Sequence, residues 1–185
     1  RFEVLTVEEP AIAKAIKMVG GLKGLFEAHH QFNIDEEAVS ETVKLAKRYF
    51  PQRFLPDSAI DLMDRTMATF RILEDNMSAR ISRVKADMKS LESNATSEDW
   101  ALFWEEAVNI LSPLALEGSE AESPGKNENP ESWTTFVNTV LDNLDIRSKK
   151  KKEQIDKGDI SKIVAVATGI PTGKIEGDEQ QKLVE

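Results

Sequence analysis

Between Ala59 and Leu91 the chain contains neither proline nor glycine, and its apolar residues recur at helical spacing. Ala59, Ile60, Leu62, Met63, Met67 and Phe70 open the pattern, and Ile72, Leu73, Met77, Ile81, Val84, Met88 and Leu91 continue it at steps of three, four and seven. Such a run keeps an apolar line on one side of a helix and offers no point at which the helix must break. It predicts one helix of ~30 residues, reaching roughly 45 Å at a rise of ~1.5 Å per residue. A small helical bundle needs less than that to cover itself, so the far part is expected to protrude. The fold class that follows is all-α: a small helical bundle with a protruding antiparallel helical, coiled-coil-like arm.

The start of this helix is written into the loop Arg53-Phe54-Leu55-Pro56-Asp57. Pro56 has no amide to leave unpaired and a fixed φ suited to a first turn, and the Asp57 carboxylate is expected to accept from the free amides behind it. Upstream, Phe2, Val4, Leu5 and Val7 form a short extended lead-in, after which Glu8-Glu9-Pro10 opens a helix to about Ala28. Ile12, Ile16, Val19, Leu22, Leu25 and Phe26 are expected on its buried side. Gly20, Gly21 and Gly24 each cost roughly 1 kcal/mol of helix propensity against alanine, which points to a close helix crossing or a weakened turn. Phe32 and Ile34 return to the core. Asp35 then caps a helix from about Glu36 to Phe50, with Val39, Val43, Leu45, Ala46 and Tyr49 or Phe50 inward, and Pro51 stops it.

The pair His29-His30 invites a metal reading. Adjacent helical residues diverge by ~100° and no third ligand pattern lies nearby, so a role at the helix C-terminus is the better expectation and no metal is assigned.

Beyond Leu91, Ser97-Glu98-Asp99 starts a helix by serine capping, with Trp100, Phe103, Trp104, Val108 and Leu111 on one face, ending near Ser112-Pro113. Residues 118–129 are acidic, rich in Ser, Pro, Gly and Asn, and nearly free of apolar side chains; a disordered loop is expected. Asn129-Pro130 restarts a helix carrying Trp133, Phe136, Val137, Val140, Leu141 and Leu144 toward the basic run Lys149–Lys152. That run is assigned to the helix dipole and solvent. Asp159 is expected to cap a last helix from Ile160 to Ala167.

Several of these stretches resemble the ClpA/ClpB family of ring-forming AAA+ unfoldases. Phe54-Leu55-Pro56-Asp57 followed by Ala59-Ile60-Asp61-Leu62 is similar to the signature that opens a helix in the small helical lid of the family's first ATPase module. Gly21-Leu22-Lys23, Glu27-Ala28-His29-His30, Lys47-Arg48-Tyr49-Phe50, Gly158-Asp159-Ile160 and Thr168-Gly169-Ile170-Pro171 also match. Ser58 stands where the family has lysine, Arg65-Thr66 where it has glutamate-alanine, and Ala167 where it has tryptophan. The resemblance implies a lid over residues 1–76, a middle-domain arm over 77–157 and a joint to a second ATPase module over 158–185; the acidic loop near 118–129, read from composition, falls within the arm and is not a family signature. It implies that Leu55, Pro56, Asp57 and Ile60 lie near a bound adenine, and that Arg1 is a trans-acting arginine finger in the ring.

The function implied is that of a non-catalytic part of an ATP-dependent chaperone or unfoldase that remodels proteins. The whole protein would use ATP with magnesium, and no cofactor is expected on this chain by itself. Implied partners are neighbouring subunits of a homohexameric ring, unfolded or aggregated protein substrates, and an adaptor or peptidase. The alternative reading is a free-standing helical adaptor binding a protein partner through its tryptophan-rich arm.

Composition limits the rest. A net charge of −9 and a pI near 4.9 argue against nucleic acid or an anionic membrane as partner. No cysteine is present, which removes disulfides, thiol nucleophiles and Cys-based zinc sites. No apolar run approaches the ~20 residues of a membrane span, and a cytoplasmic setting is the default. There is no Gly-x-x-x-x-Gly-Lys-Ser/Thr loop and no apolar strand ending in Asp-Glu, so this chain alone is not expected to hydrolyse ATP. It starts at Arg1 without methionine and stops in a charged run at Glu185, which reads as a segment of a longer protein.

Overall fold

In a computed structural model the chain is described over residues 8–91, 95–117, 123–125 and 128–176. Along them run α1 (Ile12–His30), β1 (Asn33–Ile34), α2 (Glu36–Tyr49), α3 (Asp57–Ser90), α4 (Ser97–Leu111), α5 (Pro113–Leu116), α6 (Pro130–Lys149), β2 (Gln154–Ile155) and α7 (Lys157–Thr168), with a further short helical turn at 172–176. They fall into two compact units, one drawn from residues 1–71 and 152–185, the other from 72–151. The Pro- and Gly-free run is a single helix, α3, of 34 residues.

In the first unit α1 and α7 both pack on α2. Asp35 caps α2 as expected, its carboxylate accepting from the Ala38 amide at 2.5 Å. Val39, Val43, Leu45 and Ala46 are buried beneath it, while Tyr49 and Phe50 are half-buried. From α3 this core receives Ala59, Leu62, Met63 and Met67, and from α7 Ile160, Ile163 and Val164. The strands pair in parallel, Asn33 opposite Gln154 and Ile34 opposite Ile155, so chain leaving α1 is bonded to chain that returns 121 residues later. Nothing in the local sequence announces so short a pairing.

Two expectations for α1 are corrected. Its buried residues are Ala15, Val19 and His30, whereas Ile12 and Leu25 are exposed. A side chain built at Gly20, Gly21 or Gly24 would meet nothing within 4 Å, so these glycines mark open helix surface and not a close crossing.

The second unit has an apolar core of Met77, Ile81 and Val84 from α3, Trp100, Ala101, Ala107 and Leu111 from α4, Ala115 from α5, and Trp133, Phe136, Val137, Val140, Leu141 and Leu144 from α6. Edge-to-face ring pairs run through it: Trp100–Phe103, Trp104–Phe136 and Trp133–Phe136, with centroids 5.7, 4.9 and 6.1 Å apart. Ile72, expected on the buried line of α3, is instead 55% exposed.

The caps of α4 and α7 also shift. Thr96, not Ser97, caps α4 in a reciprocal box with Asp99, and Asp156, not Asp159, caps α7 in a box with Asp159. Of the expected disordered loop at 118–129, residues 118–122 and 126–127 lie outside the described residues.

Candidate functional site

The loop ahead of α3 is held from two sides. The Leu55 amide donates to Glu9 Oε1 at 2.8 Å, while the other Glu9 oxygen receives Lys47 Nζ at 2.5 Å. One carboxylate thus ties the segment before α1 to the end of α2 and to the loop. These two donors hold the Glu9 carboxyl below its ordinary value, the Leu55 amide contributing most. Arg53 is anchored forward to Asp61, Nη1 to Oδ2, at 2.9 Å.

The first turn of α3 is closed by backbone rather than by the expected side-chain cap. The Ser58 amide donates to the Phe54 carbonyl at 3.2 Å, and those of Ala59 and Ile60 to the Pro56 carbonyl at 3.0 Å. The Leu55–Pro56 peptide is cis. Asp57 is the first helical residue and its side chain is exposed.

Leu55 and Pro56 line a cleft of about 310 Å³ together with Glu8, Glu9, Lys14 and Met18. Phe54, 71% exposed, stands at its edge. Leu55 is buried, so one wall is enclosed and apolar, whereas the Phe54 ring is largely in solvent. Of the four residues expected near a nucleotide base, the cleft unites Leu55 and Pro56. Asp57 and half-buried Ile60 follow on the first turn of α3 and are not among its lining residues. Arg1 lies outside the described residues. The cleft combines an apolar wall, one ammonium and two carboxylates, a set that can seat a flat heteroaromatic ring by its face and edge but contains no nucleophile paired with a base.

The histidine pair resolves differently from the helix-end role expected of it. His30, 7% exposed, places Nε2 2.8 Å from Asp64 Oδ1 and stacks on Phe26 with the rings 6° apart, pinning the end of α1 to α3. The turn after α1 is made by Gln31 at φ 60°. Sequence reasoning missed the His30–Asp64 bond, and also Glu9 as the organiser of the loop; a carboxylate beside a helix-opening proline was the available signal. Among the described residues no group of three or more His, Cys, Asp or Glu side chains is arranged to hold a metal ion.

Set against known proteins, residues 11–110 match the AAA lid domain family. The chain is 29% identical over 184 residues to the ATP-dependent Clp protease ATP-binding subunit ClpC of Staphylococcus aureus (strain USA300), covering 100% of this chain and 20% of the relative. Identity and coverage are the same for ClpC of Staphylococcus saprophyticus. The chain therefore spans about a fifth of the length of the curated relatives it matches. Among solved structures, the S. cerevisiae Hsp104-ADP complex is similar in fold, with a TM-score of 0.54 and 21% identity over 100% of this chain and 34% of that one.

Proposed function

The chain belongs to the AAA lid domain family, and from that premise we propose that it is the lid, arm and joint of an ATP-driven Clp-type protein unfoldase. The observation that carries this reading is the cleft where Leu55 and Pro56 meet Glu9, Lys14 and Met18. In the proposal Leu55 and Pro56 form the wall against an adenine ring, with Asp57 and Ile60 supporting it from the first turn of α3. The phosphates and their magnesium are held by other parts of the protein. Residues 1–76 act as the lid, 77–157 as the regulatory arm and 158–185 as the joint to a second ATPase module, which α7 couples to the lid through its packing on α2. Arg1 reaches the nucleotide of the neighbouring subunit in a homohexameric ring.

The relatives' name, an ATP-binding subunit of a Clp protease, supports ATP as the nucleotide and a peptidase among the partners; that the substrates are unfolded or aggregated proteins is part of the proposal. The setting is the cytoplasm, which agrees with the finding that no helix among the described residues is long and apolar enough to cross a membrane.

Two measurements test this. The purified 185-residue chain should show no ATP turnover and at most about millimolar nucleotide affinity, since one wall of a site supplies only a few kcal/mol. In the protein that carries this chain together with its ATPase modules, Leu55→Ala should raise the KM for ATP about tenfold while the variant still assembles. An unchanged KM in an assembled Leu55→Ala protein, or turnover that tracks the 185-residue chain through repurification, would overturn the reading.

A further inference from the structure

The outward face of α4 has a pattern that the lid reading does not use. Leu102 is 62% exposed, and the positions three and four residues to either side of it are Glu98, Asp99, Glu105 and Glu106, all exposed. On a helix those are the four surface neighbours of Leu102. No lysine, arginine or histidine occurs anywhere in α4. Among the described residues Glu98, Glu105 and Glu106 make no ion pair. Asp99 is held ionised by the Thr96 hydroxyl and amide, which keep its carboxyl below the ordinary value.

Beside this face lies an open groove of about 830 Å³ within the second unit. Leu91, Leu102 and Phe103 provide its apolar surface, Asp87, Asp99 and Glu106 its charged rim, and among the described residues no basic side chain lines it. Asp87 faces Arg83, one turn back on α3, at 3.9 Å.

We propose that this groove is a docking site for a basic amphipathic segment of a separate protein, an apolar anchor seated between Leu91, Leu102 and Phe103 with lysines or arginines on both sides meeting the acidic rim. Charge complementarity selects that occupant. An apolar side chain gains from leaving water only if its neighbours do not set carboxylates against carboxylates, so an acidic or neutral flank is disfavoured and a basic one attracted. The net charge of −9 extends the attraction beyond the groove. Within this chain's own basic run two of the four lysines are already engaged, Lys149 by Asp145 at 2.6 Å and Lys152 by Asp159 at 2.8 Å, which leaves a second copy less to offer than a separate basic segment. The proposal is independent of the nucleotide-lid reading.

The test titrates the 185-residue chain with a fluorescent synthetic helical peptide bearing leucines at i, i+3 and i+7 and lysines between them. Control peptides replace every lysine by glutamate or every leucine by serine. The basic amphipathic peptide should bind, and its affinity should fall as salt brings the screening length toward ~8 Å. Leu102→Ser, and separately the double change Glu105→Lys with Glu106→Lys, should each weaken binding about tenfold or more with far-UV circular dichroism unchanged, because all three side chains face solvent. Equal binding of either control peptide overturns the proposal, as does insensitivity to salt or unchanged binding by folded variants. Self-association of the chain that Leu102→Ser abolishes would assign the groove to a second copy and overturn it too. The peptide controls and the salt series read the same question without a variant, should one fail to fold.

Discussion

Glu9 ties together three parts of the first unit, because its two oxygens serve donors from different elements, the Leu55 amide and Lys47 Nζ. A carboxyl held below its ordinary value of 4.5 is bound more firmly as an anion in the folded state than in the unfolded one. Its contribution to stability is therefore fully present above about 4.5 and is lost as pH falls through the lower, folded value. Glu9→Gln should melt below the parent at neutral pH, and the gap between the two melting temperatures should close as the buffer is taken below that range. A gap that stayed constant into acid would mean that Glu9 acts by shape alone. Two departures from the family pattern are also explained at this scale. Thr66 is fully buried, but its hydroxyl returns a hydrogen bond to the Leu62 carbonyl at 2.7 Å and so needs no outside partner. Ser58 is 3% exposed with an unpartnered hydroxyl, an enclosed place in which a lysine ammonium would lose its water. Neither environment was readable from the sequence, since both depend on which face of α3 the bundle covers. The His30–Asp64 bond likewise joins residues 34 apart whose meeting no local pattern encodes.

At the scale of elements, periodicity served best where the buried side is broad. The buried residues of α6 are the six that its spacing predicts, and α3 runs unbroken as its lack of proline and glycine requires. It failed on α1, where apolar residues occur around most of the helix and the covered line runs through Ala15, Val19 and His30, leaving Ile12, Met18 and Leu25 in solvent. Caps were misplaced for a different reason. Thr96-Ser97-Glu98-Asp99 and Asp156-Lys157-Gly158-Asp159 each offer acceptors at both ends of the first turn, and the N-cap is the one left in extended backbone, with ψ at 168° for Thr96 and 175° for Asp156. For α3 the burial grades the effect of truncation. Leu62 is 2% exposed, so Leu62→Ala should cost about 2–5 kcal/mol. Ile60, only half-buried, should cost less than Leu62 when changed to alanine. Urea unfolding of both variants checks the order; an Ile60→Ala loss as large as that of Leu62→Ala would mean that the first turn of α3 is more enclosed than its exposure indicates.

For the molecule as a whole, the decisive fact is that the first unit is assembled from two separated stretches, with residues 72–151 running between them. No periodicity could reveal this, because it rests on the long-range pairing of β1 with β2 and the packing of α7 on α2. The two ends of the intervening stretch are close in space: Lys152 Nζ lies 5.4 Å from the Phe70 ring centre, and the same ammonium reaches Asp159 at 2.8 Å. Asp159 is itself buried and bonded to the Asp156 amide, so the returning chain is fixed on arrival. Residues 1–71 joined to 152–185 by a short Gly/Ser linker should therefore fold with a cooperative melt, because the closure the linker must span is small. A chain ending at Lys151 should lose that fold. It would strip Ile155, Ile160, Ile163 and Val164 from the core and expose the side of α2 they cover, a loss of several side chains each worth about 1.5–3 kcal/mol. All three tryptophans lie within 72–151, so indole emission follows only the second unit while far-UV circular dichroism follows both. Comparing the two signals during urea unfolding of the truncated chain separates the cases: a helical signal lost at low urea while emission stays blue-shifted is the expected result. Coincident transitions at the parent's midpoint would show that residues 152–185 are not part of the first unit's core.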